Sequence, residues 1–266
     1  MVAIGPRPAG SAELRQTRAY IGRQITGFGL TLQEQQFTAS TPVGRVEMSN
    51  LVVRLPGQRP DRILFIGHYD TKILKGQRFV GASDGGSSAA FLIELARVLA
   101  AGPESSREFT YELVWLDGEE AFCLGWEDCG TPSSPDNTYG SRYYVQAAEK
   151  AGAAKSIRAV ILVDMIGDRD LKFYRESQST AWLKDIIWGT ARSMAYDRVF
   201  VDAEQHITDD HVPFLKAGIP AIDIIDLEYP YWHTPDDTLD RVSARSLQIV
   251  GDVLLAALPK IEDHLK

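Results

Sequence analysis

The sequence predicts an α/β fold, a single domain over residues 1–266 built on an open, twisted, mostly parallel sheet flanked by helices. Short apolar runs alternate with segments whose apolar residues recur at helical spacing, and no internal repeat or low-complexity linker divides the chain. A length of 266 residues is one that open α/β sheets reach as one unit. Taken in order, a first helix is expected over about residues 11–26 and one or two antiparallel edge strands within 44–54. The apolar runs at 62–67, 111–116, 158–163 and 221–225 read as buried strands. Helical spacing marks 87–100, 141–151, 180–194 and 243–258, and this alternation argues a largely parallel sheet covered on both faces. Residues 125–139, rich in Gly, Pro, Ser, Asp and Asn, read as a long surface loop, and loops of that size inside compact domains are often functional.

Hydrophobic residues at 44% and charged residues at 24% lie near the averages of globular proteins, so a sizeable core is expected and disorder is not. The net charge of -8 disfavours nucleic acid or an anionic membrane as partner, because both select basic surfaces. A small molecule or a peptide suits better. No apolar run approaches the roughly 18 residues of a membrane-spanning helix, and the start lacks a charged segment followed by an apolar one. Only two cysteines occur, Cys123 and Cys129; their spacing allows either a small disulfide loop or two free thiols, and does not suggest zinc held by sulfur.

The acidic residues and histidines fall directly after the expected strands. The first buried strand ends in His68, Tyr69 and Asp70, the second in Asp117, Glu119 and Glu120, and the third in Asp164. The fourth leads through Asp226 to Trp232 and His233, and Asp84 stands at the mouth of a helix. The carboxyl ends of strands are where open α/β sheets bind ligands. Clustered carboxylates repel one another unless a cation neutralises them, and few lysines or arginines lie in these loops. A divalent metal is the economical reading, and a mixture of Asp, Glu and His suits zinc better than magnesium or calcium. Singly, each residue has a plainer role: Asp84 as a helix cap, Glu119 and Glu120 as a solvated turn, His233 as a surface or core residue. Their joint placement is what points to a site.

The segments GHYDTK (67–72), GASDGGSSAAFLIELAR (81–97), LDGEEAF (116–122), YGSRYY (139–144), LVDMIGD (162–168), DDHVPFLKAGIPA (209–221) and YWHTPDDTLD (231–240) resemble signature blocks of the zinc aminopeptidase family that includes the glutaminyl cyclases. They stand in the family's order and cover nearly the whole chain from about residue 60 onward. The resemblance implies a zinc aminopeptidase-like fold, with Asp84, Glu120 and His233 holding one catalytic zinc per chain and Glu119 as general base. In the two-metal aminopeptidases, His68 and Asp164 would hold a second metal with Asp84 as bridge.

Finer features resemble the glutaminyl cyclases, which convert N-terminal glutamine into pyroglutamate with release of ammonia. Trp126 and a long insertion follow Phe122, an aspartate stands at 209 where aminopeptidases carry a small residue, and Trp232 immediately precedes His233. On that resemblance Asp164 and Asp209 act with Glu119 in a catalytic relay, and Trp126, Trp232 and His211 contact substrate. Plainer roles are Trp126 as a loop cover and His211 as a helix-start residue bonded to backbone. Asp70 is expected to orient His68, and Asp236 and Asp237 to cap a turn after Pro235. The expected partners are peptides or proteins with N-terminal glutamine, without nucleic acid or membrane, for a monomer secreted or periplasmic with its leader trimmed. The rival is a zinc aminopeptidase using a second metal; an inactive binding relative is disfavoured because every ligand and the base are present.

Overall fold

The computed structural model describes residues 1–266, apart from the side chain of Ser106. Helix α1 (Ala12–Gly27) starts behind Ser11, whose side chain accepts the Leu14 amide and so satisfies one of the free donors of the first turn. A hairpin follows, β1 (Leu32–Thr41) paired antiparallel with β2 (Gly44–Leu55). The alternating unit then begins: β3 (Arg59–His68), α2 (Gly86–Ala101), β4 (Phe109–Leu116), a two-residue hairpin of β5 (Gly130–Thr131) and β6 (Ser134–Pro135), and α3 (Tyr139–Lys150). It continues through β7 (Ile157–Asp164), β8 (Phe173–Glu176), α4 (Ala181–Ser193), β9 (Phe200–Gln205), α5 (His211–Lys216), β10 (Ala221–Ile225) and α6 (Ala244–Leu265).

The main sheet has the order β1-β2-β4-β3-β7-β10, with β4, β3, β7 and β10 parallel and β1 and β2 antiparallel at one edge. Side chains alternate across it with period two. Ile63, Phe65, Leu113, Trp115, Ile161 and Val163 meet α1, α2, α4 and α6 on one face. Leu64, Ile66, Val114, Leu116, Val160 and Leu162 meet α3 and α5 on the other. The chain leaves β3 for β4 on one side and later returns to β7 on the other, so the sheet order reverses at β3. A crevice opens there at the carboxyl ends of the strands.

All four buried strands and the expected helices are present. Strand β1 was not expected: its sequence, LQEQQFTAST, is mostly polar because it is an outer strand with little burial. The parallel pair β8 and β9 and the short α5 were also missed. Helix α6 runs seven residues past the expected end at 258 despite Pro259, and the burial of Ile261 and Leu265 accounts for its continuation. Among the described residues, no helix is long and apolar enough to cross a membrane.

Candidate active site

Each predicted rim residue comes from a strand end or the turn beyond it. His68 closes β3, Glu119 and Glu120 follow β4, Asp164 closes β7, and His233 lies beyond β10. Asp84 sits just before α2, in a turn made by Gly85 at φ +70°; a Cβ there would lie 2.5 Å from the Asp70 carbonyl and 2.9 Å from the His68 ring. Only glycine allows that turn to close on His68.

At the strand ends two groups of three side chains could each hold a metal ion, Asp84 with Glu120 and His233, and His68 with Asp84 and Asp164; within each, the donor atoms lie within 4.8 Å of one another. Asp84 belongs to both. Asp84 Oδ2 and Glu120 Oε2 are buried and have no hydrogen-bond partner among the described residues. His233 Nε2 lies 3.5 Å from the first and 3.3 Å from the second. Electron-pair donors converging without protons to share is the arrangement a cation requires, and a carboxylate–carboxylate–imidazole set fits zinc. On the other side of Asp84, His68 Nε2 lies 3.2 Å from Asp84 Oδ1 and 3.1 Å from Asp164 Oδ1. His233 adopts φ 52°, a left-handed conformation costly for a non-glycine residue and held here by its surroundings. Phe79 meets its ring edge-on at 6.0 Å, and Trp232 stacks on it at 4.3 Å.

Burial and mutual repulsion dominate the electrostatics. Burial pushes Glu119 well above the usual carboxylate range; His68 opposes this, while Glu120, Asp209 and Asp210 add to it. Asp209 is raised in the same way, by burial and then by Asp164 and Asp210. Burial also raises Glu120, with Asp84 adding to the effect and His233 opposing it. His68 is raised well above its ordinary value although burial lowers it, because Glu119 and Asp164 outweigh burial. A bound dication would oppose the upward shifts of these carboxylates. Nearby cations do not neutralise the cluster by direct pairing: Lys72 Nζ bonds the carbonyls of Ala121 and Cys123, and the Arg7 guanidinium bonds those of Tyr69, Val80 and Gly81.

The supports of the site come from distant parts of the chain. Asp237 Oδ1 accepts the Ser83 amide at 2.8 Å and the Tyr229 hydroxyl at 2.7 Å, and Oδ2 accepts the Asp84 amide at 3.1 Å. It therefore caps more than its own turn. Arg7, in a segment where the sequence offered no functional signal, braces the Asp84 turn from below through Val80 and Gly81. Asp70 accepts the amides of Glu119 at 3.3 Å and Glu120 at 3.4 Å, and its Oδ1 stands 3.5 Å from His68 Nδ1, so it orients the paired glutamates as well as facing the histidine. Lys72 donates its backbone amide to Glu120 Oε1 at 3.1 Å, which leaves Oε2 for His233.

A cleft of about 350 Å³ holds Asp84, Glu119, Glu120, Asp164, Asp209 and His233, with Trp126 and Trp232 among its walls. Trp232 is 41% exposed, at the mouth. His211, expected to contact substrate, does not line this cleft. It is fully buried at the start of α5, with Nε2 3.1 Å from Glu176 Oε2 and Nδ1 3.6 Å from Asp223 Oδ2. Two interior carboxylates draw the ring inward. Its partner is a side chain and not the backbone, and Glu176 was missed because the short strand that carries it was missed. Glu176 also accepts the amides of Gln178, Ser179 and Ile207, so it fixes the segment that leads to Asp209. The two cysteines are joined, Cys123 to Cys129 with Cα atoms 6.1 Å apart, and their loop carries Trp126.

The model of peptidase family M28 matches residues 50–258, a stretch that contains every residue of both ligand groups. The chain belongs to peptidase family M28. Within the family it sits with the glutaminyl cyclases. It is 30% identical over 263 residues to a glutaminyl-peptide cyclotransferase-like protein of Bos taurus, covering 90% of this chain and 67% of that one. The solved glutaminyl cyclase of an Acidobacteriales bacterium superposes with a TM-score of 0.90 at 36% identity, covering 98% of this chain and 90% of that one. A Zn-dependent exopeptidase from Parabacteroides distasonis superposes with a TM-score of 0.83 at 25% identity, covering 96% and 93%. The M28 chain thus shares its sheet with both cyclases and exopeptidases.

Proposed function

We propose that this M28 protein is a zinc-assisted glutaminyl-peptide cyclotransferase, converting the N-terminal glutamine of peptides into pyroglutamate with release of ammonia. The observation that carries the reading is a buried Glu119 beside a convergent Asp84–Glu120–His233 donor set, in a cleft walled by two tryptophans. The relatives named as glutaminyl cyclases support it. Asp84, Glu120 and His233 would hold one zinc, which when bound polarises the side-chain amide of the substrate as a Lewis acid.

The α-amine, arriving uncharged, attacks its own side-chain amide carbon. A carbon–nitrogen bond closes the five-membered ring, and the original amide carbon–nitrogen bond breaks to release ammonia. Glu119 takes the proton that the amine loses and returns it to the departing nitrogen, first as base and then as acid. That double duty needs a carboxyl whose proton affinity lies above the solvated range, and burial with Asp209 nearby supplies it. Asp164 and Asp209 are the acidic neighbours that keep this proton within the cleft. Because nucleophile and electrophile share one molecule, the remaining task is to hold a bent conformer, which Trp126 and Trp232 do as apolar walls. A half-buried disulfide suits an oxidising compartment and supports a secreted or periplasmic enzyme.

One observation favours the second reading, an aminopeptidase: His68, Asp84 and Asp164 form a second donor group. Ammonia release from a glutaminyl dipeptide, measured beside cleavage of a leucine anilide with zinc content determined on the same preparation, separates the two. Pyroglutamate with about one zinc per chain is expected; anilide cleavage with about two would make the protein an aminopeptidase.

A further inference from the structure

The catalytic cleft does not end at Trp126. A second cavity, of about 600 Å³, adjoins it and shares Trp126, Glu127, Thr208 and Asp209 as walls, yet holds none of the residues of either ligand group. Its floor is made by facing stripes. Asp209, Val212, Pro213 and Lys216 lie at helical spacings of three and four along and just before α5. Thr138, Arg142, Val145 and Gln146 repeat that spacing along α3. The β5–β6 hairpin, which follows the disulfide, forms the third wall through Pro132 and Pro135. Both cavities fall in the size range of small-ligand sites, so together they exceed what one glutaminyl residue needs.

We propose that this second cavity is a subsite for the residues that follow the glutamine, selecting apolar side chains at the second and third positions and an acidic one at the fourth. The inference rests on the reading of the cleft as the glutamine site. Continuity at Trp126 and Asp209 gives the peptide its direction, since the cyclising residue is the amino terminus and everything after it must leave the cleft. The walls between are mostly apolar. From His211 to Lys216 along α5 is five helical rises, roughly 7.5 Å, the span of about two extended residues, and Asp209 lies beyond its start. The Lys216 side chain is exposed and has no ion-pair or hydrogen-bond partner among the described residues, whereas the neighbouring Arg142 is half-buried, its Nη2 donates to the carbonyls of Pro135 and Asn137, and its guanidinium lies over the Tyr139 ring. The solvent-exposed cation at this end is therefore Lys216. The loop of residues 125–139 thereby has a task, as the wall that selects sequence downstream of the reacting residue.

The test is a set of kcat/KM values for cyclisation of Gln-Gly-amide, Gln-Ala-Ala-Ala-amide, Gln-Leu-Leu-Ala-amide and Gln-Leu-Leu-Glu-amide by the zinc-loaded protein. Burial of two leucines, less the cost of ordering them, is expected to raise kcat/KM about tenfold over the alanine peptide. The terminal glutamate should add about threefold, and Lys216→Glu should reverse that last preference. Gln146→Trp, which fills the cavity from an exposed position, should collapse the ratio of the leucine peptide to Gln-Gly-amide. Values for all four peptides within twofold of one another, in a protein that does cyclise them, would overturn the subsite and leave the activity standing. Failure to form pyroglutamate from any of them would overturn both.

Discussion

Asp237→Asn keeps the shape of the side chain and changes only what it accepts. In the folded chain Oδ1 takes two donors, the Ser83 amide and the Tyr229 hydroxyl, and Oδ2 takes the Asp84 amide. An asparagine retains most by leaving its carbonyl oxygen on the first pair, which puts its NH2 group against the Asp84 N–H. That orientation loses one hydrogen bond between a buried amide and a carboxylate and sets two donors face to face. A charged hydrogen bond of this kind is worth about 1.5–3 kcal/mol. The loss falls on the backbone of a residue in both donor groups, so it should appear as weaker zinc binding. At 1.4 kcal/mol per tenfold, a 10- to 100-fold loss of zinc affinity is expected, the size usual for groups that support a ligand. Competition with a chromogenic chelator measures it, with urea denaturation of the metal-free protein as control for folding. Zinc affinity within twofold of the parent would refute the role of Asp237 as the support of Asp84.

Glu119→Gln should lower kcat/KM by about 10² to 10⁴ while zinc content stays unchanged, since it removes the proton carrier and none of the three ligands; loss of metal in that variant would contradict the division of roles. Burial raises Glu176, but the hydrogen bond from His211 and the Gln178 amide outweigh it and bring it from 4.5 to about 2. Its contribution is therefore present above about pH 4.5 and lost as pH falls through about 2, and Glu176→Gln should remove on the order of 2 kcal/mol of pH-dependent stability in that window, read by urea denaturation. Replacing Cys123 and Cys129 together by serine opens a loop with a sequence separation of only 6, so stability should fall by no more than about 2 kcal/mol while KM rises through the loosened Trp126. Thermal unfolding and steady-state kinetics check both halves, and an unchanged KM would mean that the bridge does not position the tryptophan.

The buried strands were legible because burial on both faces writes an unbroken apolar run, as in residues 158–163. Strand β1 was not, because an outer strand keeps the composition of a loop. The same distinction divides the site. Asp84, Glu120 and His233 could be located from position and resemblance, since carboxylates and imidazoles at strand ends are uncommon and their chemistry is their own. Arg7, Glu176 and Asp237 act mainly on backbone amides and carbonyls, which every residue supplies, so no partner residue type marks the contact. Arg7 reaches Gly81 across 74 positions, and nothing in either segment announces it. His211 shows the converse: a residue next to acidic relay candidates was drawn to the interior by Glu176 and Asp223, two carboxylates whose burial the sequence does not display.

The ligand set is common ground between hydrolysis and cyclisation, so the choice between them must lie in what the walls admit beside Glu119. Hydrolysis requires room there for a water; cyclisation requires that the substrate's own amine occupy that place, on a chain bent back upon itself. A bent glutamine presents a compact apolar edge. Trp232 stacked on His233 at 4.3 Å, with Trp126 also on the cleft wall, offers apolar surface for that edge and leaves less room for solvent. The strained φ of 52° at His233 serves this arrangement as much as it serves the donor set, because it places the imidazole against the indole while keeping Nε2 toward Asp84 and Glu120. On the proposed reading, the reaction is thus specified less by the three donors than by the tryptophan adjacent to one of them.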